Sequence, residues 1–168
     1  MMKINENIIN YFGSRLIRRS VNLDISNSIE NDNLYILSEI GLPNKVLDFE
    51  FTNEIEFNAQ NEVIIGKTYA SEDIVLNIVS NKIVRSNDNC FLANSLENYL
   101  KQLYTYDHLW EITIKESHFG KYRENKNHTK YAKYLETQLL KIDPELLRND
   151  SSFFWGSLIE DIEFGVVG

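Results

Sequence analysis

The chain predicts an α+β fold: a central, mostly antiparallel sheet laid out as a meander, flanked by N-terminal and C-terminal helices. Three observations predict it. Short apolar runs of period two fill the middle of the sequence, and helical periodicity brackets them on both sides. No repeat or Pro/Gly-rich linker divides the chain, so residues 1–168 are expected to form one domain. A hydrophobic content of 43%, with 12% aromatic, is enough to build a core and argues against a disordered chain.

Residues 3 to 19 read as one or two short helices. Ile8, Ile9 and Phe12 form an apolar stripe, Gly13 breaks it, and Leu16 and Ile17 resume before Arg18 and Arg19. The polar stretch through Asp24, Asn27, Ser28, Asn31 and Asp32 is expected to be loop, with Asp32 as N-cap of the next helix. In that helix Leu34/Leu37 and Ile36/Ile40 share a face. It should stop abruptly. Gly41 can take the left-handed conformation that closes a helix, and Pro43 has no N–H to continue it.

Leu47, Phe49 and Phe51 alternate with Asp48 and Glu50, and Ile55 and Phe57 alternate with Glu54 and Glu56. Apolar residues on one face and acids on the other describe a half-buried antiparallel strand. Val63-Ile64-Ile65 forms a second strand, expected to end at Gly66. Ile74-Val75-Leu76 with Ile78-Val79 is apolar on both faces, as a central strand would be. Ser80-Asn81-Lys82 reads as a tight turn into Ile83-Val84, and Asn89 to Ala93 as the last strand.

The period then changes. Asn94 and Glu97 form a capping box before a helix whose buried stripe is Leu96, Tyr99, Leu100 and Leu103; Ile112 and Ile114 extend it or end it. Lys115 to Asn127 reads as an exposed loop. Tyr131, Tyr134, Leu135 and Leu139 mark another helix, ended near Asp143 by Pro144. A last helix carries Phe153, Phe154, Leu158, Ile159 and Ile162.

The net charge is −8 and unevenly placed. Nine acids stand against Lys45 between Asp24 and Glu62, whereas six bases face two acids between Lys115 and Lys133. Such a chain is repelled by phosphate backbones, which disfavours direct nucleic-acid binding even with a basic loop, and it favours a basic partner. Met1 to Asn7 mixes charge and polarity, and no window reaches the roughly 18–20 apolar residues of a membrane span. A cytoplasmic protein without membrane contact is expected.

Chemistry-bearing patterns are sparse. His108, His118 and His128 are too far apart to share a helical turn, and the one cysteine, Cys90, precedes Phe91-Leu92-Ala93 as a small buried apolar residue would. No G-x-S-x-G, Walker loop or G-x-G-x-x-G occurs. No catalytic residue, cofactor or metal site is assigned. Asp48, Glu50 and Lys67 can be forced into a loose metal-nuclease pattern, but strand alternation accounts for the acids more simply. Tyr99, Tyr104, Tyr106 and Trp110 recur at near-helical spacing and read as core.

In serial order, several segments resemble one branch of the SUKH superfamily of bacterial immunity proteins. Leu37-Ser-Glu-Ile-Gly41-Leu42-Pro43 is similar to its L-x-x-x-G-L-P element, Phe49 and Phe51 to the aromatic strand after it, and Ile64-Ile65-Gly66 to a strand end. Asn81 to Val84 is similar to the following turn and strand, and Asn94-Ser95-Leu96-Glu97-Asn98-Tyr99-Leu100 to the N-x-S-L-x-x-F-L helix start, one residue shorter and with Tyr99 for Phe. Phe154-Trp155 and Leu158-Ile159-Glu160 resemble the terminal W-x-x-L-E-E helix, with Asp161 in the last place. The resemblance runs from about Leu34 onward. It implies a non-catalytic protein that binds and neutralises a polymorphic toxin, with Gly41, Leu42, Pro43 and Trp155 as structural positions.

The acidic strand then offers a binding face for a basic cognate toxin, centred on Asp48, Glu50, Glu54 and Glu56. The rival readings are a non-catalytic adaptor for an endogenous protein and an acid-dependent hydrolase or nuclease. The sequence leaves monomer or dimer open.

Overall fold

The computed structural model describes residues 4–47, 49–114, 128–147 and 153–165. Three short helices come first: α1 (Glu6–Phe12), α2 (Leu23–Ser28) and α3 (Asn31–Tyr35), the last continuing as a wide π turn over Ile36–Ile40. Between α1 and α2, β1 (Leu16–Ile17) pairs with β2 (Leu42–Pro43) in a small separate sheet. The main sheet holds β3 (Lys45–Val46), β4 (Phe49–Phe57), β5 (Val63–Thr68), β6 (Asp73–Leu76), β7 (Ile83–Arg85) and β8 (Cys90–Ala93). Its spatial order is the chain order, and every pair is antiparallel. The expected α+β meander is what forms. Then come α4 (Leu96–His108), prolonged by a π turn over Leu109–Ile114, α5 (His128–Ile142) and α6 (Phe153–Glu163).

One apolar cluster joins these parts, from Ile8 and Phe12 on α1 through Phe49, Phe51, Ile74 and Leu76 of the sheet to Leu135 and Trp155 on the last helices. Leu96, Tyr99, Leu100 and Leu103 are all fully buried, as the stripe on α4 predicts. Tyr99 lies 5.9 Å from Phe49 and 6.0 Å from Phe51, ring centre to ring centre, so α4 sits on the inner face of the sheet. Trp155 closes the far edge: its Nε1 donates to the Leu92 carbonyl of β8 at 3.2 Å. A carbonyl on an edge strand thereby gains a partner that no further strand supplies.

Several local expectations are corrected. The polar stretch after Val21 is helix α2, because Asn22 accepts the Ile25 amide at 2.9 Å and buries Ile25 as the one apolar anchor. Leu16 and Ile17 are strand, since Gly13 (φ 50°) and a 3₁₀ turn redirect the chain toward Leu42 and Pro43. Glu30, not Asp32, holds the cap position of α3, and its carboxylate accepts from Asn81 Nδ2 at 2.6 Å instead of capping. Leu47 (φ 55°) belongs to the β3–β4 turn.

β5 does not end at Gly66. It passes through it, because a Cβ there would lie 2.8 Å from the Glu50 carbonyl oxygen. Ile78 and Val79 lie in a turn where Asn77 Oδ1 accepts the amides of Val79 and Ser80, leaving Val79 89% exposed. The cap of α4 is Ser95, which accepts the Asn98 amide at 3.1 Å. Asn94 instead gives its amide and Nδ2 to the buried Asp143 carboxylate at 2.9 and 2.6 Å, fastening the start of α4 to the end of α5. Tyr134 points to solvent, while Tyr131, Leu135 and Leu139 are buried. The loop expected at Lys115 to Asn127, with His118, lies outside the described residues.

Candidate interaction surface

The acids of β4 are separated from its apolar residues by strand alternation. Phe49, Phe51 and Ile55 are buried, while Glu50, Glu54 and Glu56 are exposed. The strand is not regular, however. Its pairing with β5 runs Phe51↔Gly66 and then Glu56↔Ile64, so four residues, Thr52 to Ile55, oppose Ile65 alone. This wide bulge carries Glu54, which bridges to Ser20 rather than to β5.

Arg19 holds the bulge. Its Nε donates to the Thr52 carbonyl at 2.9 Å, and its Nη1 to the carbonyls of Leu42 (2.5 Å) and Ile17. Arg19 is 3% exposed, and its guanidinium takes carbonyls rather than a carboxylate as partners among the described residues. Burial alone draws its pKa down to about 10, so it stays charged at neutral pH. Carbonyl dipoles aimed at its N–H groups offset the lost hydration, and the planar fork reaches three chain segments at once.

The Gly41-Leu42-Pro43 element sits at the same junction. Gly41 (φ 91°) ends the π turn, its N–H donating to Ile36 O at 2.7 Å. A Cβ here would stand 2.6 Å from the Ile17 carbonyl. Only glycine lets β1 pass so close. Leu42 and Pro43 are buried and pair with β1.

The predicted acids are not equivalent. Glu50 is met by Lys45 Nζ at 3.0 Å and stands opposite Lys67 across the β4–β5 pair, so its charge is locally balanced. Lys67 itself pairs with Asp73 at 3.7 Å. Glu54 and Glu56 form no ion pair among the described residues. Asp48 lies outside them. The strand therefore presents its net negative charge at the Glu54–Glu56 end.

Two further carboxylates, missed in the sequence, are held by neutral amides. Glu62 accepts from Asn58 Nδ2 (3.0 Å) and Asn77 Nδ2 (3.1 Å), and Glu30 from Asn81 Nδ2, which is itself steadied by Asn33. Asparagine donors orient these acids without neutralising them. The burial of Arg19 was also missed, because Arg18-Arg19 beside a short apolar run reads as surface. Neither case leaves a local signal in the sequence.

A polar cluster also joins α1 to α4. Tyr11 Oη donates to Asp107 Oδ2 at 2.9 Å, and Arg15 reaches the same oxygen at 2.8 Å. Burial first, and then the bond to Asp107, push the Tyr11 phenol up to about 12. The rings of Tyr104 and His108 pack edge-on to Tyr11 at 5.1 and 5.3 Å. Among the described residues no group of three or more His, Cys, Asp or Glu gathers where a metal ion could be held, and no helix is long and apolar enough to cross a membrane.

Fold and surface together define an α+β protein with a helix-backed antiparallel meander and a negatively charged strand. Comparison with protein-family models, curated proteins and solved structures finds no match.

Proposed function

We propose that this chain is an immunity protein that binds and neutralises a basic protein toxin, acting without catalysis of its own. The observation that carries the reading is the bulged β4 strand, which projects Glu54 and Glu56 outward, without cationic partners among the described residues, on a support pinned by Arg19. A fixed negative surface steers a cationic partner and speeds association more than it adds contact energy. The serial resemblance to SUKH proteins supports the same reading, and the placement of Gly41, Leu42, Pro43 and Trp155 at packing junctions suits the structural part the resemblance implies for them. A cytoplasmic site of action follows from the proposal, because such a toxin acts inside the cell.

The test is co-expression with the C-terminal domain of the protein encoded by the adjacent gene, scoring toxicity, survival and a co-purifying complex. Rescue with a complex supports the proposal. Cell death despite soluble protein, with no complex, overturns it.

A further inference from the structure

The facing sides of α5 and α6 enclose an open groove of about 570 Å³. The two helices are antiparallel, for Gly165 just past α6 abuts His128 at the start of α5. Each contributes a stripe of spacing i, i+3, i+4, i+7: Thr129 to Glu136 on one side and Gly156 to Glu163 on the other. Its apolar lining, Ala132, Leu147, Gly156 and Ile159, is buried or half-buried. The rim is charged: Glu136, Glu160 and Glu163 against Lys133, and none of the three acids has an ion-pair partner among the described residues.

Gly156 is the informative residue. Glycine inside a helix weakens it relative to alanine. Elsewhere in the chain, at Gly41 and Gly66, close backbone approach explains the missing side chain. At Gly156 a Cβ would meet no described atom within 4 Å beyond its chain neighbours and its own helix backbone. No packing contact in the described fold requires the missing side chain, and a large side chain at this lining position would take up groove space.

We propose that this groove docks a basic amphipathic segment of a partner protein, one apolar side chain seated over Gly156 and Ala132 and flanking Lys or Arg residues against Glu136, Glu160 and Glu163. The charge balance selects a cationic segment, and the apolar lining selects one with an apolar face. The proposal goes beyond the toxin reading and does not depend on it, since any partner with such a segment would fit.

The test uses the full chain and a fluorescein-labelled Leu/Lys peptide of about fourteen residues with a helical apolar face, read by anisotropy at about 150 mM salt. A scrambled peptide of equal composition measures plain charge attraction. The amphipathic peptide should bind about 10-fold tighter than the scrambled one, and Gly156→Leu, which fills the groove, should abolish that advantage. Glu160→Gln with Glu163→Gln should weaken binding about 10-fold, whereas Glu54→Gln with Glu56→Gln should change it less than about 2-fold. Thermal melts verify folding, and Gly156→Ala, which no described neighbour opposes, replaces the leucine variant if that one unfolds; it should also reduce the advantage. Equal binding of the two peptides, full binding by the filled-groove variant, or equal loss from the β4 pair would each overturn the proposal.

Discussion

Arg19 Nε donates to the main-chain oxygen of Thr52 at 2.9 Å, while Nη1 of the same residue reaches the oxygen of Leu42 at 2.5 Å. One buried side chain thus ties the Gly-Leu-Pro element to the bulge that carries Glu54. Arg19→Met would leave the Thr52 and Leu42 carbonyls buried without donors, and Arg19→Lys would supply too few donors in the wrong geometry. Relief of the buried charge opposes this, but the orphaned carbonyls outweigh it. Both variants should lower the unfolding free energy by about 2–4 kcal/mol. Urea denaturation checks this; an unchanged midpoint for Arg19→Met would show the clamp to be dispensable.

Gly41→Ala puts a methyl 2.6 Å from the Ile17 carbonyl at a φ of 91°. Both faults act together, so a loss of at least about 2 kcal/mol is expected. Gly156→Ala should do the opposite and add about 0.5–1 kcal/mol, because a helical glycine is replaced where space is open. Paired chemical melts of the two variants compare the signs directly.

The Tyr11 phenol gives a pH dependence. Its folded pKa, about 12, lies above the ordinary tyrosine value of 10.0, so the unfolded chain releases the proton first. The stability this contributes is complete below pH 10 and is lost as pH rises toward 12. Tyr99, wholly buried, is shifted the same way and adds to the loss. Tyr11→Phe should therefore flatten, without abolishing, the alkaline decline in stability. Phenolate absorbance would show one late-titrating tyrosine fewer; an identical alkaline profile would refute the assignment.

If the β4 strand captures a basic toxin, its acids should not contribute alike. Glu54→Gln with Glu56→Gln should slow association several-fold at low salt. Glu50→Gln should alter it far less, because Lys45 already offsets that charge. Stopped-flow capture rates at two ionic strengths separate these effects. Equal slowing by Glu50→Gln would contradict the neutralisation argument.

Trp155→Phe removes the donor to Leu92 O and leaves a gap in a fully buried site. A loss of about 1–3 kcal/mol is expected, with β8 amides exchanging hydrogen faster than those of β5. Uniform exchange across the sheet would show that α6 does not guard this edge.

Apolar period was the legible part. It located α4, α5 and the β4 strand, because a stripe or an alternation is a local property that neighbours three or two residues away already express. It failed where one residue decides. Helix α2 rests on a single buried Ile25 and an Asn22 cap, and the capping position of α4 moved to Ser95 once Asn94 was drawn to Asp143, 49 positions away. The acids at Glu50, Glu54 and Glu56 were legible as an exposed face, but not their inequality, which depends on Lys45 and Lys67 in neighbouring strands.

The sequence by itself determined an acidic α+β chain, a meander between helices, and a helix stopped at Gly41. Only the tertiary structure decided that Arg19 is buried among carbonyls, that three extra residues bulge out of β4 beside Ser20, and that Gly156 opens onto a groove. The division has one cause. Periodicity and turn chemistry act over a few bonds, whereas a residue's charge balance and free space are set by atoms that only folding brings near.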